Sequence, residues 1–182
     1  MTSIRERVLD AAISLLATGG VRALTHARID ERAGLPRGST SNYFRTRAAL
    51  VVGVADWIVE RELPMVTGAF APRSPDELVD TMCAALSFST RDNRELTTAR
   101  LMLFMEASHN TELREALSRG RATIEAAVVP ALASMGAMNP QVAAETVAAC
   151  FEGLILHSIA RDASTDPRPI FEAVVAAALP AR

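Results

Sequence analysis

Apolar residues recur along this chain at three- and four-residue intervals, and no stretch reads as a strand. Ser3, with Glu6 three residues later, opens a first helix whose apolar stripe runs through Ile4, Val8, Ala11, Ala12, Leu15 and Leu16 to Gly19-Gly20. The pattern then predicts a helix from Arg47 to Leu63, stopped by Pro64, and a loop over Gly68–Pro75. Ser74 or Pro75 starts the next, with Leu78, Met82, Ala85 and Leu86 on its face. Another begins at Asp92 and places Leu96, Ala99, Leu103 and Met105 inside. The pattern breaks at Ser108-His109-Asn110, and Asn110 or Thr111 caps a helix with weak points at Gly120 and Pro130. Asn139-Pro140 opens a helix from Gln141 to Ala160, and Asp166-Pro167 or Arg168-Pro169 opens the last. The sum is an all-α chain of about nine helices.

The chain is organised around Thr25–Leu50, where the helices are shortest and most polar. Ile29 and Ala33 share a helix face, and Gly34 stands where that helix should stop in a left-handed conformation. Leu35 turns back to a small core. Pro36–Phe44 is too polar for a core helix, and Phe44 is its apolar anchor. Two short helices at a steep angle around a glycine turn make a helix-turn-helix, whose second helix enters the DNA major groove.

Charge sharpens this picture. Residues 1–50 carry eight arginines against Glu6, Asp10, Asp30 and Glu31, a balance of +4, while the whole chain is at −2 and the remainder therefore at −6. A basic first quarter on an acidic body fits DNA contact at one end. The low aromatic share, 4%, with abundant alanine suits helices better than a sheet. Every cation is arginine. Cys83 and Cys150, far apart in apolar stretches, read as buried free thiols of a reducing compartment rather than a redox sensor or disulfide. Polar residues at 5, 6, 7 and 10 stand where a signal peptide needs an apolar run. No apolar stretch approaches a membrane span, which predicts a cytoplasmic protein without membrane partners.

Thr25, Ile29, Ala33-Gly34-Leu35, Arg37-Gly38-Ser39, Tyr43-Phe44, Arg47 and Leu50 together resemble the DNA-binding domain of the TetR family of bacterial repressors, densely over residues 3–50. Three positions depart from the family's pattern. Pro36 stands where a capping serine is usual, and Ser41 where tyrosine is frequent. Asp30 replaces a small alanine, placing an anionic group close to the expected DNA side. The resemblance implies a helix-turn-helix domain over residues 1–46 and a helical effector-binding and dimerisation domain over 47–182.

On that reading Arg37 pairs with guanine or, failing that, with phosphate or solvent. Gly38 admits close approach of the backbone to DNA. Ser39 and Thr40 reach phosphate or a thymine methyl, or stabilise the helix start. Asn42 reaches adenine or phosphate, and Tyr43 phosphate. Thr25 caps the first helix of the motif and presents its amides to a phosphate. Arg47 faces the DNA backbone, while Arg28 and Pro36 complete the set.

The last two helices are too apolar for a monomer's surface. They are either plain core or a twofold four-helix interface, as in TetR-like proteins, with Phe151, Leu154, Ile155, His157, Ser158, Phe171, Val174 and Val175 at the contact and Gly153 allowing close approach. By resemblance an effector cavity lies in the body. Trp57, Met82, Phe88, Met102, Phe104, Met105 and Phe151 suit an apolar guest, with Arg100, Glu106 or His109 meeting its polar group. Plain core is the rival use of that stripe.

No cofactor is implied. Glu106-Ala-Ser-His109 has the Glu-x-x-His spacing of di-metal bundles, but His26 and His157 supply no second copy, so no metal site is assigned. The missing lysine excludes a P-loop, and no Gly-x-Ser-x-Gly elbow occurs. The expected function is a homodimeric repressor on a palindromic operator, released by a small apolar effector. The alternatives are a helical-bundle small-molecule or metal-binding enzyme, and a helix-turn-helix acting by protein contact alone.

Overall fold

Ser3 and Glu6 close both halves of a capping box: the Glu6 amide donates to Ser3 Oγ at 3.2 Å, and the Ser3 amide to Glu6 Oε2 at 2.6 Å. They start α1 (Ile4–Gly19), which ends where the Gly20 amide, at φ 66°, donates to the Leu16 carbonyl at 2.9 Å. The computed structural model describes residues 2–67, 72–161 and 165–179, without the side chains of 65–67. Within them lie nine α-helices, a 3-10 turn at Val21–Ala23 and no strand. The remaining helices are α2 (His26–Arg32), α3 (Ser39–Tyr43), α4 (Arg47–Thr67), α5 (Pro75–Thr90), α6 (Arg94–Ala107), α7 (Thr111–Ser134), α8 (Pro140–Arg161) and α9 (Arg168–Ala178).

Local side-chain caps set most starts. Ser74 accepts from the Glu77 amide at 3.2 Å, Asn110 from Leu113 at 3.1 Å and Asn139 from Val142 at 3.3 Å. Prolines and glycines stop less than the pattern suggests. α4 passes Pro64, which removes one ladder bond near the end of a 21-residue helix that the others sustain. α7 passes Gly120 and Pro130. A Cβ on Gly120 would stand 2.7 Å from Val59 Cγ2, so this glycine marks a close approach to α4 and not a break. Of the expected loop, residues 68–71 lie outside the described residues, and 72–74 are non-helical.

The chain forms two compact units, residues 1–62 with 95–120 and residues 63–94 with 121–182. In the first, Val8, Leu9 and Leu16 of α1 join Ile29, Phe44, then Leu50, Val54 and Ile58 of α4, Leu103 and Leu113 in one core. That core runs across the expected boundary at 46/47, because Leu50, Val51, Val54, Ala55 and Ile58 of α4 belong to the same buried cluster as the α1 residues. Ile4 and Met105, expected inside, are 47% and 74% exposed.

In the second unit, α5, α8 and α9 pack on one another. Leu78, Met82 and Leu86 of α5, Val147 and Ile155 of α8, and Phe171 and Val175 of α9 are buried there, and Phe151 stacks on Phe171 with ring centroids 6.1 Å apart. Ile155, Phe171 and Val175 are thus buried in the chain's own core, which corrects their assignment to a contact between copies. Leu154, Ser158 and Val174 are half-buried and His157 is exposed. Val142 and Leu156, both about half exposed, are the large apolar groups that α8 turns outward. A Cβ on Gly153 meets nothing within 4 Å. Cys83 and Cys150 are free and half-buried, not fully buried, and burial pushes both thiols up. The expectation that no stretch approaches a membrane span is also corrected. α8 has 22 residues and mean hydropathy 1.4 over its most apolar window, which meets that length and composition.

Candidate nucleic-acid interface

The turn between α2 and α3 is built by backbone. Gly34 takes φ 62°, its amide donates to Glu31 at 3.1 Å, and the Leu35 amide donates to Asp30 at 2.8 Å. Arg7 of α1 donates to the Ala33 carbonyl at 2.6 Å, and Arg32 donates to Ser14, so α2 is tied to α1 at its end. Leu35 packs against the core as its position predicts.

α3 is five residues long and begins at Ser39, later than the sequence pattern suggests. Pro36 and Arg37 therefore lie in the preceding turn, not in the helix. The Ser39 amide and hydroxyl both donate to the Pro36 carbonyl, at 3.2 and 2.6 Å. Gly38 takes φ 90° at the N-cap and has no side chain to cap with, so its requirement is conformational.

The missing cap comes from α2. Asp30 Oδ2 accepts the Gly38 amide at 2.7 Å, and Oδ1 accepts the Thr40 amide at 2.8 Å and the Thr40 hydroxyl at 2.5 Å. Asp30 is 2% exposed and Thr40 fully buried. Two expectations change. Asp30 does not present a negative charge to DNA, and Thr40 is withdrawn from the set of DNA contacts because its hydroxyl is engaged inside. Burial acts to raise the Asp30 pKa, but the bonds from Thr40 and Gly38, with His26 nearby, outweigh it and hold the carboxyl below its ordinary value.

The other end of α3 is also held. His26 Nε2 lies 2.6 Å from the Phe44 carbonyl, and since a carbonyl only accepts, that nitrogen carries the hydrogen. Phe44 is buried, with the Arg5 guanidinium 6.0 Å from its ring centroid.

What remains outward is polar. Arg28, Pro36, Arg37, Ser41, Asn42 and Tyr43 are exposed, Tyr43 by 46%. Thr25 caps α2 by accepting the Arg28 amide at 3.4 Å. Arg47 is about half exposed; it also donates to the Val21 carbonyl at 2.9 Å and lies 4.0 Å from Glu106, so it braces α4 within its own unit.

The candidate effector residues divide between the units. In the first, Trp57 is half-buried and donates to Asp10 at 3.0 Å. Arg100 pairs with Glu62 at 3.2 Å, both side chains under one-fifth exposed, and stands 5.4 Å from the Phe104 ring centroid. Burial raises the Glu62 pKa and Arg100 opposes it. Met102 and Phe104 are partly exposed, Glu106 is half-buried and His109 exposed. In the second unit Met82 is core, Phe88 is at the surface and Phe151 lies on Phe171. No group of three His, Cys, Asp or Glu able to hold a metal occurs among the described residues. Sequence reasoning passed over His26 and Glu62. A signal for the first was available, because His26 and Asp30 are four apart on one face of α2.

The family profile "Bacterial regulatory proteins, tetR family" matches residues 8–54, and "Tetracyclin repressor-like, C-terminal domain" matches residues 73–181. No curated protein matches the chain. Among solved structures, the multidrug binding protein EbrR complexed with ethidium is similar at 22% identity and TM-score 0.79, covering 98% of this chain and 100% of that one. A member of the TetR family from Streptomyces coelicolor is similar at 23% identity and TM-score 0.78, covering 98% and 99%. A transcriptional regulator from Rhodococcus sp. Rha1 is similar at 19% identity and TM-score 0.80, covering 94% and 91%. With both halves of the chain matched by the family's two domains, and a helix-turn-helix displayed at its basic end, the chain belongs to the TetR family of transcriptional regulators.

Proposed function

We propose that this regulator is a cytoplasmic homodimeric repressor that binds a palindromic operator through residues 1–46 and releases it on binding a small apolar effector in the body. The observation that carries the reading is the outward polar face around α3, where Arg37, Asn42 and Tyr43 are exposed above a buried support. Arg37 suits guanine, Asn42 adenine or phosphate, and Tyr43 phosphate. Thr25, Arg28, Pro36, Gly38 and Ser39 border that face. A twofold pair presents two such heads to half-sites about one helical turn, or a multiple, apart.

The dimer contact falls on α8 and α9, where Leu154, Leu156, His157, Ser158 and Val174 are exposed or half-buried and a Cβ on Gly153 would meet open space. The effector favours a state whose reading heads are wrongly spaced, and that difference in affinity releases DNA. EbrR's complex with ethidium supports an aromatic or apolar guest, and Phe104 beside the Arg100–Glu62 pair offers such a guest a ring and a charge.

The test is a gel-shift series against salt with wild type, Arg37→Ala and Tyr43→Phe. Both variants should bind more weakly; the salt slope should fall for Arg37→Ala where the guanidinium meets phosphate, and stay unchanged for Tyr43→Phe, which removes no charge. Equal binding by all three proteins overturns the assignment.

A further inference from the structure

We infer that His26 and Asp30, one turn apart on α2, form a two-point clamp that fixes the pose of α3 before DNA arrives, and so act as positioning residues for operator recognition. The inference rests on the DNA-reading role proposed above for α3.

A five-residue helix does not hold itself together in water, where isolated helices need roughly a dozen residues or more. The N-cap of α3, Gly38, also has no side chain to cap with. Asp30 supplies three acceptor contacts at its start, to the Gly38 amide, the Thr40 amide and the Thr40 hydroxyl. His26 supplies a donor at its end, to the Phe44 carbonyl. Both oxygens of Asp30 are engaged, and the carboxylate is buried. Neither residue stands outward enough to read a base. Their contribution to binding is to hold Arg37 and Asn42 in register, so that less ordering remains to be done on the duplex.

The clamp makes distinct demands on its two members. Asparagine at position 30 keeps Oδ1 for Thr40 but turns an N–H₂ toward the Gly38 amide, donor against donor. Glutamine at 26 keeps an N–H donor for the Phe44 carbonyl, whereas leucine does not.

The experiment uses the full chain and the duplex that wild-type protein enriches from a random-sequence pool. Fluorescence anisotropy on that duplex and on a scrambled one gives a specific-to-non-specific ratio, and circular dichroism follows the fold. Measured at a temperature where circular dichroism shows each variant folded, Asp30→Asn and His26→Leu should each lower the ratio roughly tenfold or more, although Asp30→Asn melts earlier, while His26→Gln stays within about threefold of wild type. Wild-type ratios for Asp30→Asn and His26→Leu overturn the clamp. So does loss of both binding modes in step with melting. Should Asp30→Asn not fold, Thr40→Val removes one clamp bond and must show the same fall in ratio; unfolding of both makes the contact a folding element and overturns the inference. A wild type that enriches no duplex sinks the repressor reading instead. Amide exchange at Gly38 and Thr40 then tests the clamp without DNA, and unchanged protection in Asp30→Asn overturns it.

Discussion

A Cβ on Gly53 of α4 would stand 2.4 Å from Cε1 of the Phe44 ring, so the anchor of α3 sits in a notch cut by a glycine. In an exposed helix, Gly→Ala gains about 1 kcal/mol from backbone entropy. Here the sign reverses. Gly53→Ala should destabilise the protein by about 1–3 kcal/mol through overpacking, read from urea unfolding. Adding Phe44→Leu should recover part of the loss, and the double-mutant cycle measures the coupling.

Arg100 and Glu62 form a largely buried pair. Arg100→Leu leaves a buried carboxylate without its cation and should cost about 3 kcal/mol, whereas Arg100→Leu with Glu62→Leu should recover most of it. The pH dependence has a definite sign. A carboxyl whose folded pKa is raised contributes most below its unfolded value and loses that contribution as pH rises through the folded one. The Arg100→Leu deficit should therefore grow from pH 4 toward neutrality, as denaturation at a series of pH values will show.

Asp30 titrates with the opposite sign. Its folded pKa is lowered, so its contribution is present above the ordinary aspartate value and disappears as pH falls through the depressed one. The amide resonances of Gly38 and Thr40 should shift together in strong acid in wild type, and Asp30→Asn should show no such step.

Arg37 and Arg47 separate DNA contact from bracing. Arg37→Ala should weaken operator binding by about 1–3 kcal/mol with little change in melting. Arg47→Ala, which removes the bond to Val21, should lower melting and leave the salt slope of binding nearly unchanged. Anisotropy against salt, paired with thermal melts, distinguishes the two.

The parts of this fold legible in the sequence are those that depend on near neighbours. The caps at Ser3, Thr25, Ser74 and Asn139 join residues three apart, and local spacing displays them. Gly34 and Phe44 follow from hydrophobic pattern and turn chemistry. What pattern misread spans a longer reach. Asp30 meets Gly38 eight residues on and Thr40 ten on, and a polar residue in a polar stretch gives no sign of pointing inward. Pro64 failed as a stop because neighbouring ladder bonds outlast one missing donor. Ile155, Phe171 and Val175 looked like contact residues because apolarity does not distinguish a chain's own interior from a partner's.

The tip around α3 and the base beneath it use separate residues. Positions 37, 41, 42 and 43 point outward, whereas 26, 30, 40 and 44 hold the backbone from below. On the proposed DNA-reading role of the tip, mutational drift there rewrites which sequence is recognised without renegotiating thermal stability. Duplicated copies of this gene that keep the base would inherit one docking angle and diverge in the promoters they govern.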